Sequence, residues 1–328
     1  MSALNMIISS EEESFPLASN LSVDEITERL HVMQHQESTN YKCIDYIKGG
    51  DHAIDRESRV KMCEWCYQVT DFCKFRRDTV AISMAYLDRF LSKTTPSAKR
   101  ALDSKKHYQL AAMVCLYIAL KLHEPLAMDT ALLSSISQGC YSESDIEMME
   151  QDILTALGWR LNGPTTHDFV SHLIALLPSS DNIFGESIAS TLSDFSRFQV
   201  ELAVSDYDLS MQKPSVVALA AILNSAEGVD IRMFSASSRQ EFLQIIYSDL
   251  GMNPFSRQVN AVRTRLLKLF SKNSGYEMPQ IANFTPIVPI DSEPQYFRES
   301  LKSSTTSSPV SVARTLFPEL VDRHARCA

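Results

Sequence analysis

"HYQLAAMVCLYIALKL" occupies residues 107–122. Apolar side chains cover this stretch nearly all round, whereas a helix at a protein surface carries one apolar stripe and a polar face. Such a helix has to be enclosed by other elements. A second stretch, "PSVVALAAIL" at 214–223, has the same character. Both are rich in alanine, whose small side chain lets helix axes approach closely. The pair predicts two cores, each built around one central helix.

The flanking sequence supplies the partners. Apolar residues recur at three- and four-residue spacing, and strand-like alternation is scarce. Asp55 is placed to cap a helix over 55–75, and Asp78 another over 78–92 with the stripe Val80, Met84, Leu87 and Leu91. A short helix follows Asp129. Ser142 and Asp145 form a capping-box pattern before the stripe Ile146, Met149, Ile153 and Leu154, which Gly158 ends. The same grammar repeats over 166–177, 183–204, 214–226, 238–250 and 256–272, with Pro164 and Pro214 at helix starts. The fold class is therefore all-α: two tandem five-helix units, residues 51–162 and 163–273. Residues 1–50 carry acidic clusters, one short amphipathic candidate near 22–35 and the break Gly49-Gly50, and read as a mostly disordered N-terminal tail. Residues 274–328 hold six of the 13 prolines and the run "SSTTSS" at 303–308. That Ser/Thr/Pro-rich composition buries too little apolar surface to offset chain entropy, so a disordered tail is expected there.

A net charge of −9, with no concentrated Lys/Arg face, argues against nucleic acid as a partner. No apolar run reaches membrane-spanning length, and seven cysteines at irregular spacing suit a reduced, soluble chain with protein partners. "KMCEWCYQV" at 61–69 places Cys63 and Cys66 three apart on one helix, with Met62, Cys66, Val69 and Cys73 along an apolar stripe. Zinc needs four convergent ligands, and no second Cys/His pair is near, so these cysteines read as small hydrophobes. His167 and His172 stand five apart, a poor helical match for shared metal binding. No phosphate-cradling glycine motif or nucleophile elbow is present. No catalytic residue, metal or cofactor is expected.

Taken in order, "SRVKMCEWCYQV", "AYLDRFLSK", "YQLAAMVCLYIALKLHEP" and "MEQDILTALGWRLNGPTTHDFVSHLI" resemble a cyclin box. "KPSVVALAAIL" resembles the C-terminal cyclin fold. The resemblance implies a noncatalytic regulatory subunit of a cyclin-dependent kinase. It pairs Arg59 with Asp88 across two helices, and it matches Lys121 and Glu150 to the lysine and glutamate by which cyclins grip main-chain groups around the kinase αC helix. That helix then moves inward, and its glutamate pairs with the lysine that orients ATP phosphates. Trp65 matches the tryptophan that floors a docking patch for Arg-x-Leu motifs of substrates and inhibitors. Met62, Gln68 and Gln109 belong to the same candidate patch. Ser58, Lys61 and Gln68 depart from the family pattern, and a cation at Lys61 predicts weakened or altered peptide preference.

"LGWRLNGPTTHDFVSHL" resembles the D-type, G1 cyclins more than the mitotic ones, although the Leu-x-Cys-x-Glu of D-type cyclins is not present. G1 or G1/S control is the resulting expectation, with residence in nucleus and cytoplasm. The C-terminal "SSPVSVARTLF" sets a proline-directed phosphosite, Ser308, before a docking pattern of Arg314, Leu316 and Phe317. An alternative use of the same fold, as in transcription factor IIB, operates on DNA without a kinase. The acidic charge and the retained Lys121 and Glu150 speak against it.

Overall fold

The structure, a computed structural model, describes residues 21–274 except 49, 51, 126, 127 and 179–184, and only the backbone of 185–187, 273 and 274. All lie in the first of the chain's two units, Met1–Tyr276, and none in the second, Glu277–Ala328. Ser308, Arg314, Leu316 and Phe317, and the expectation of a disordered tail, fall outside the described residues.

Among the described residues the fold is all-α. Helix α1 (Val23–Ser38) is followed by α2 (Arg56–Cys73), α3 (Asp78–Leu91), α4 (Pro96–Asp103), α5 (Lys105–His123), α6 (Thr130–Ile136) and α7 (Glu143–Ala156). A second set runs α8 (Thr166–Ile174), α9 (Gly185–Ser205), α10 (Tyr207–Ser210), α11 (Pro214–Gly228), α12 (Ala236–Ser248) and α13 (Arg257–Ser274). The short α4 and α10 add to the two predicted sets of five.

α5 is the axis of the first core. Every residue from Leu110 to Leu120 is buried, and α2, α3, α4 and α7 pack around it. α11 plays the same part in the second core, against α8, α9 and α13. The alanines Ala218, Ala220 and Ala221 have no exposed surface, as close axis approach requires. α9 also packs on α2 and α3, so the two cores share a seam.

Local signals explain the boundaries. Asp55, Asp129 and Ser142 accept hydrogen bonds from the third backbone N–H of their helices, and Ser142 with Asp145 completes a capping box. Asp78 does not cap α3. It is the first helical residue, and Arg77 at the cap position is already in the right-handed helical region. Pro164 lies one residue ahead of the true cap, Thr165, which forms a capping box with Asp168.

The expectation that residues 1–50 are mostly disordered needs correction over α1. Ser22 and Glu25 form its capping box, and Ile26 and Leu30 are buried in the second core. Glu37, 5% exposed, accepts hydrogen bonds from the Ser215 backbone N–H (3.0 Å) and hydroxyl (2.6 Å) at the start of α11. Those donors belong to the unsatisfied N-terminal turn of α11, where a carboxylate is favoured. A helix with only two fully buried apolar side chains is held by a partner distant in sequence, which its own periodicity does not reveal.

Candidate functional site

Two charged pairs lie on the first core, one at its surface and one inside. α5 ends with Lys121 in its last turn, and α7 carries Glu150 on the neighbouring outer face. Lys121 Nζ donates to Glu150 Oε1 at 2.7 Å and lies 4.8 Å from the centre of the Tyr117 ring. Burial alone would push the Lys121 ammonium down. The hydrogen bond and charge of Glu150 outweigh it, and the pKa stands above that of ordinary lysine. With side chains 40% and 17% exposed, the pair is worth under about 1 kcal/mol. Both groups are therefore cheap to redirect toward a partner's main chain. Large apolar side chains stand exposed near both in sequence: Leu122 next to Lys121, and Trp159 just beyond α7. Exposed aromatic and aliphatic anchors beside polar groups are the usual energetic centre of a protein interface.

The inner pair is of another kind. Arg59 of α2 donates Nε and Nη2 to the two oxygens of Asp88 on α3, at 2.9 and 2.7 Å, and the side chains are 1% and 5% exposed. Burial would lower the arginine's pKa. The bidentate bond and charge of Asp88 reverse this and hold it well above the usual value. Arg59 Nη1 donates to the backbone oxygen of Val204 on α9, at 2.6 Å, so one guanidinium joins three helices across the seam. Tyr46, from the segment before α2, donates its hydroxyl to Asp88 Oδ1 at 2.8 Å. The Tyr207 hydroxyl donates to Asp45 and accepts from the backbone N–H groups of Tyr46 and Ile47. Neither Tyr46, Tyr207 nor the Val204 carbonyl was singled out from sequence, since a lone linker tyrosine and a backbone oxygen carry no local signature.

The residues of the candidate docking patch separate by depth. Trp65 packs half-buried against the first core, and Gln68 is also half-buried on α2. Met62 is only 3% exposed, so it supports the patch from beneath and offers no contact surface. Gln109 Oε1 accepts from the Tyr141 hydroxyl at 3.0 Å, an internal bond that engages the amide oxygen and not the amide nitrogen. Lys61 lies 2.9 Å from Glu57, an i,i+4 pair that offsets part of its charge.

Cys63, Cys66 and Cys115 are buried. Burial pushes the Cys63 thiol up to about 12, and Cys66 and Cys115 also upward, so the thiolate that metal or redox chemistry uses is disfavoured. Among the described residues no group of three or more His, Cys, Asp or Glu side chains is arranged to hold a metal. His167 and His172 diverge: His167 Nε2 lies 3.5 Å from Asp78, whereas His172 Nδ1 bonds the Asp168 carbonyl.

The chain is similar to known proteins over much of its length. Residues 28–162 match the family model described as "Cyclin, N-terminal domain". The chain is 26% identical over 267 residues to G2/mitotic-specific cyclin-B2 of Oryzias luzonensis, covering 79% of this chain and 63% of that protein. It is 24% identical over 261 residues to G1/S-specific cyclin-D2 of Rattus norvegicus, covering 76% and 84%. The match thus spans less than two thirds of the cyclin-B2 relative's length. A viral cyclin from herpesvirus saimiri superimposes with a TM-score of 0.51 at 16% identity, covering 76% of this chain and 99% of its own, which shows a shared fold. Residues 28–162 thus carry a cyclin N-terminal domain, and over about three quarters of its length the chain is similar to cyclins of both the B and the D type.

Proposed function

We propose that this protein is the regulatory subunit of a cyclin-dependent protein kinase, which it binds and activates to control cell division, with no catalysis of its own. The observation that carries the reading is the Lys121–Glu150 pair, which brings to one surface the two charges that the family resemblance assigns to the kinase grip. On binding, Lys121 donates to, and Glu150 accepts from, main-chain groups around the kinase αC helix. That fixes the helix inward and completes the partner's catalytic site. Leu122 on α5 and Trp159, just beyond α7, supply exposed apolar area.

G1 or G1/S timing is the finer part of the proposal. It is supported by the D-type character of "LGWRLNGPTTHDFVSHL" and by D-type relatives, which stand beside a mitotic one at similar identity. Residence in nucleus and cytoplasm follows from the same reading. Trp65, Gln68 and Gln109 form a docking surface for Arg-x-Leu peptides of substrates or inhibitors, with affinity reduced by the departures at Ser58, Lys61 and Gln68. In the tail, Ser308 is a phosphosite and Arg314, Leu316 and Phe317 its docking motif.

The test is copurification from the protein's own cells of the intact chain and a Lys121→Ala/Glu150→Ala variant, with kinase content and protein-kinase activity measured in both. Loss of both quantities in the folded variant is expected. An intact chain that brings down no kinase would sink the proposal.

A further inference from the structure

A cation without an answering charge among the described residues lies on α3. Arg89, on α3 immediately after Asp88, is 7% exposed, yet its side chain forms no ion pair and no hydrogen bond with any described residue. Its contact is with the ring of Tyr41, whose centre is 4.7 Å from the guanidinium carbon. Stacking of this kind occupies one face of the group and leaves its N–H edge open. Arg160, which follows the exposed Trp159, donates to Asn40 beside Tyr41. Burial and the Arg160 charge depress the pKa of Arg89, while Tyr41, Tyr86 and Cys43 act the other way; none of these neighbours is a carboxylate. Asp88 itself turns to Arg59.

The helix that carries this side chain touches the end of α5, where Lys121 stands. The Tyr86 hydroxyl, on the same helix as Arg89, lies 3.3 Å from Nε2 of His123, two residues past Lys121. Trp159 and Arg160 emerge from the helix that carries Glu150. Burying a guanidinium with no counter-ion is unfavourable, and a bidentate oxyanion is the group that relieves it.

We propose that Arg89, Arg160 and Tyr41 form a receptor for an oxyanion on a side chain of the bound kinase, a carboxylate or a phosphate, at the margin of the Lys121–Glu150 contact. The inference rests on the kinase-binding reading and adds to it a specific chemistry. Asn40 and Tyr41 precede the segment that holds Tyr46 on Asp88, so an anion held here also anchors the connection between α1 and α2.

The affinity of the purified kinase subunit is to be measured for the parent chain and for Arg89→Met, Arg89→Lys, Arg160→Ala and Lys121→Ala/Glu150→Ala. Arg89→Met is expected to weaken binding about 30-fold, the cost of truncating one side of a buried charged contact. Arg89→Lys also weakens it, because an ammonium lacks the planar fork. Arg160→Ala, at an exposed position, costs about 5-fold and reduces the salt dependence. If neither Arg89 variant folds, Arg160→Glu carries the test with a loss of about 10-fold or more, since it sets a like charge against the oxyanion. Phosphatase treatment of the kinase separates the sources: a drop to the level of the Arg89 variants assigns a phosphate, and no change with the variants still weak assigns a carboxylate. Binding by the Arg160 variants and the folded Arg89 variants within about two-fold of the parent overturns the receptor. If Lys121→Ala/Glu150→Ala alone loses the kinase, the kinase-binding reading stands without it; a parent chain that binds no kinase ends both.

Discussion

Truncation of Arg59 is a severe perturbation of the fold. Arg59→Met removes two hydrogen bonds to Asp88 and one to the Val204 carbonyl, all in a region where the side chains are 1% and 5% exposed. Asp88 is left charged, buried and held by the Tyr46 hydroxyl. Breaking one side of a buried ion pair costs about 3–5 kcal/mol, a large share of the roughly 5–15 kcal/mol by which domains are stable. Asp88→Leu leaves the guanidinium uncompensated and costs a similar amount. The double variant Arg59→Met/Asp88→Leu leaves no lone charge, so its cost falls well below the sum, with a coupling of about 2 kcal/mol or more. Urea unfolding of the four proteins closes the cycle. Costs that add within about 0.5 kcal/mol, or a single-variant cost below about 1 kcal/mol, would refute the reasoning, because the pair would then not act as a buried unit.

Three further outcomes follow from the described contacts. Glu37→Ala removes the acceptor for the first turn of α11 and is expected to lower stability by about 1–2 kcal/mol in urea melts; an unchanged midpoint would contradict the docking of α1. Under native conditions an alkylating reagent should modify Cys73 and Cys140 ahead of Cys63, Cys66 and Cys115, which react only on unfolding; rapid labelling of Cys63 would contradict its burial. His123 and His167 both have pKa values lowered from 6.5, with burial the leading cause. Asp78, Arg197, Asp168 and Glu201 face His167, and Arg76, Asp168 and Glu124 face His123. The folded state disfavours their protonation, so their contribution is full above pH 6.5 and is lost as pH falls through the lowered values. The urea midpoint should therefore drop on acidification from pH 7, and a flat profile between pH 7 and about 5 would show that neither group is shifted.

How much of this was legible in the sequence depends on the range over which each signal acts. The α5 and α11 stretches declare themselves because uniform apolarity admits no surface position. Caps such as Asp55 and Ser142 are readable because donor and acceptor are three residues apart. Asp78 carries the same chemistry without capping, since the residue before it already has helical dihedrals. α1 escaped assignment to the fold because its stabilising partner, Ser215, lies 178 residues away from Glu37. The site divides in the same way. Lys121, Glu150, Arg59 and Asp88 were nameable through resemblance alone, as composition and periodicity treat each as an ordinary charged helix position. The hold of Arg59 on Val204, and the lack of an anion at Arg89 among the described residues, are properties of the assembled helices.

The central claim is that the Lys121–Glu150 surface receives a kinase whose activity it switches on. Its most direct measurement is a titration of the purified chain, parent and Lys121→Ala/Glu150→Ala, into the isolated kinase catalytic subunit with protein-substrate phosphorylation as readout. The account predicts saturable activation by the parent and a curve displaced by about 30-fold or more for the variant, whose thermal stability changes little because the surface pair is worth under about 1 kcal/mol. Equal activation by both proteins would contradict it.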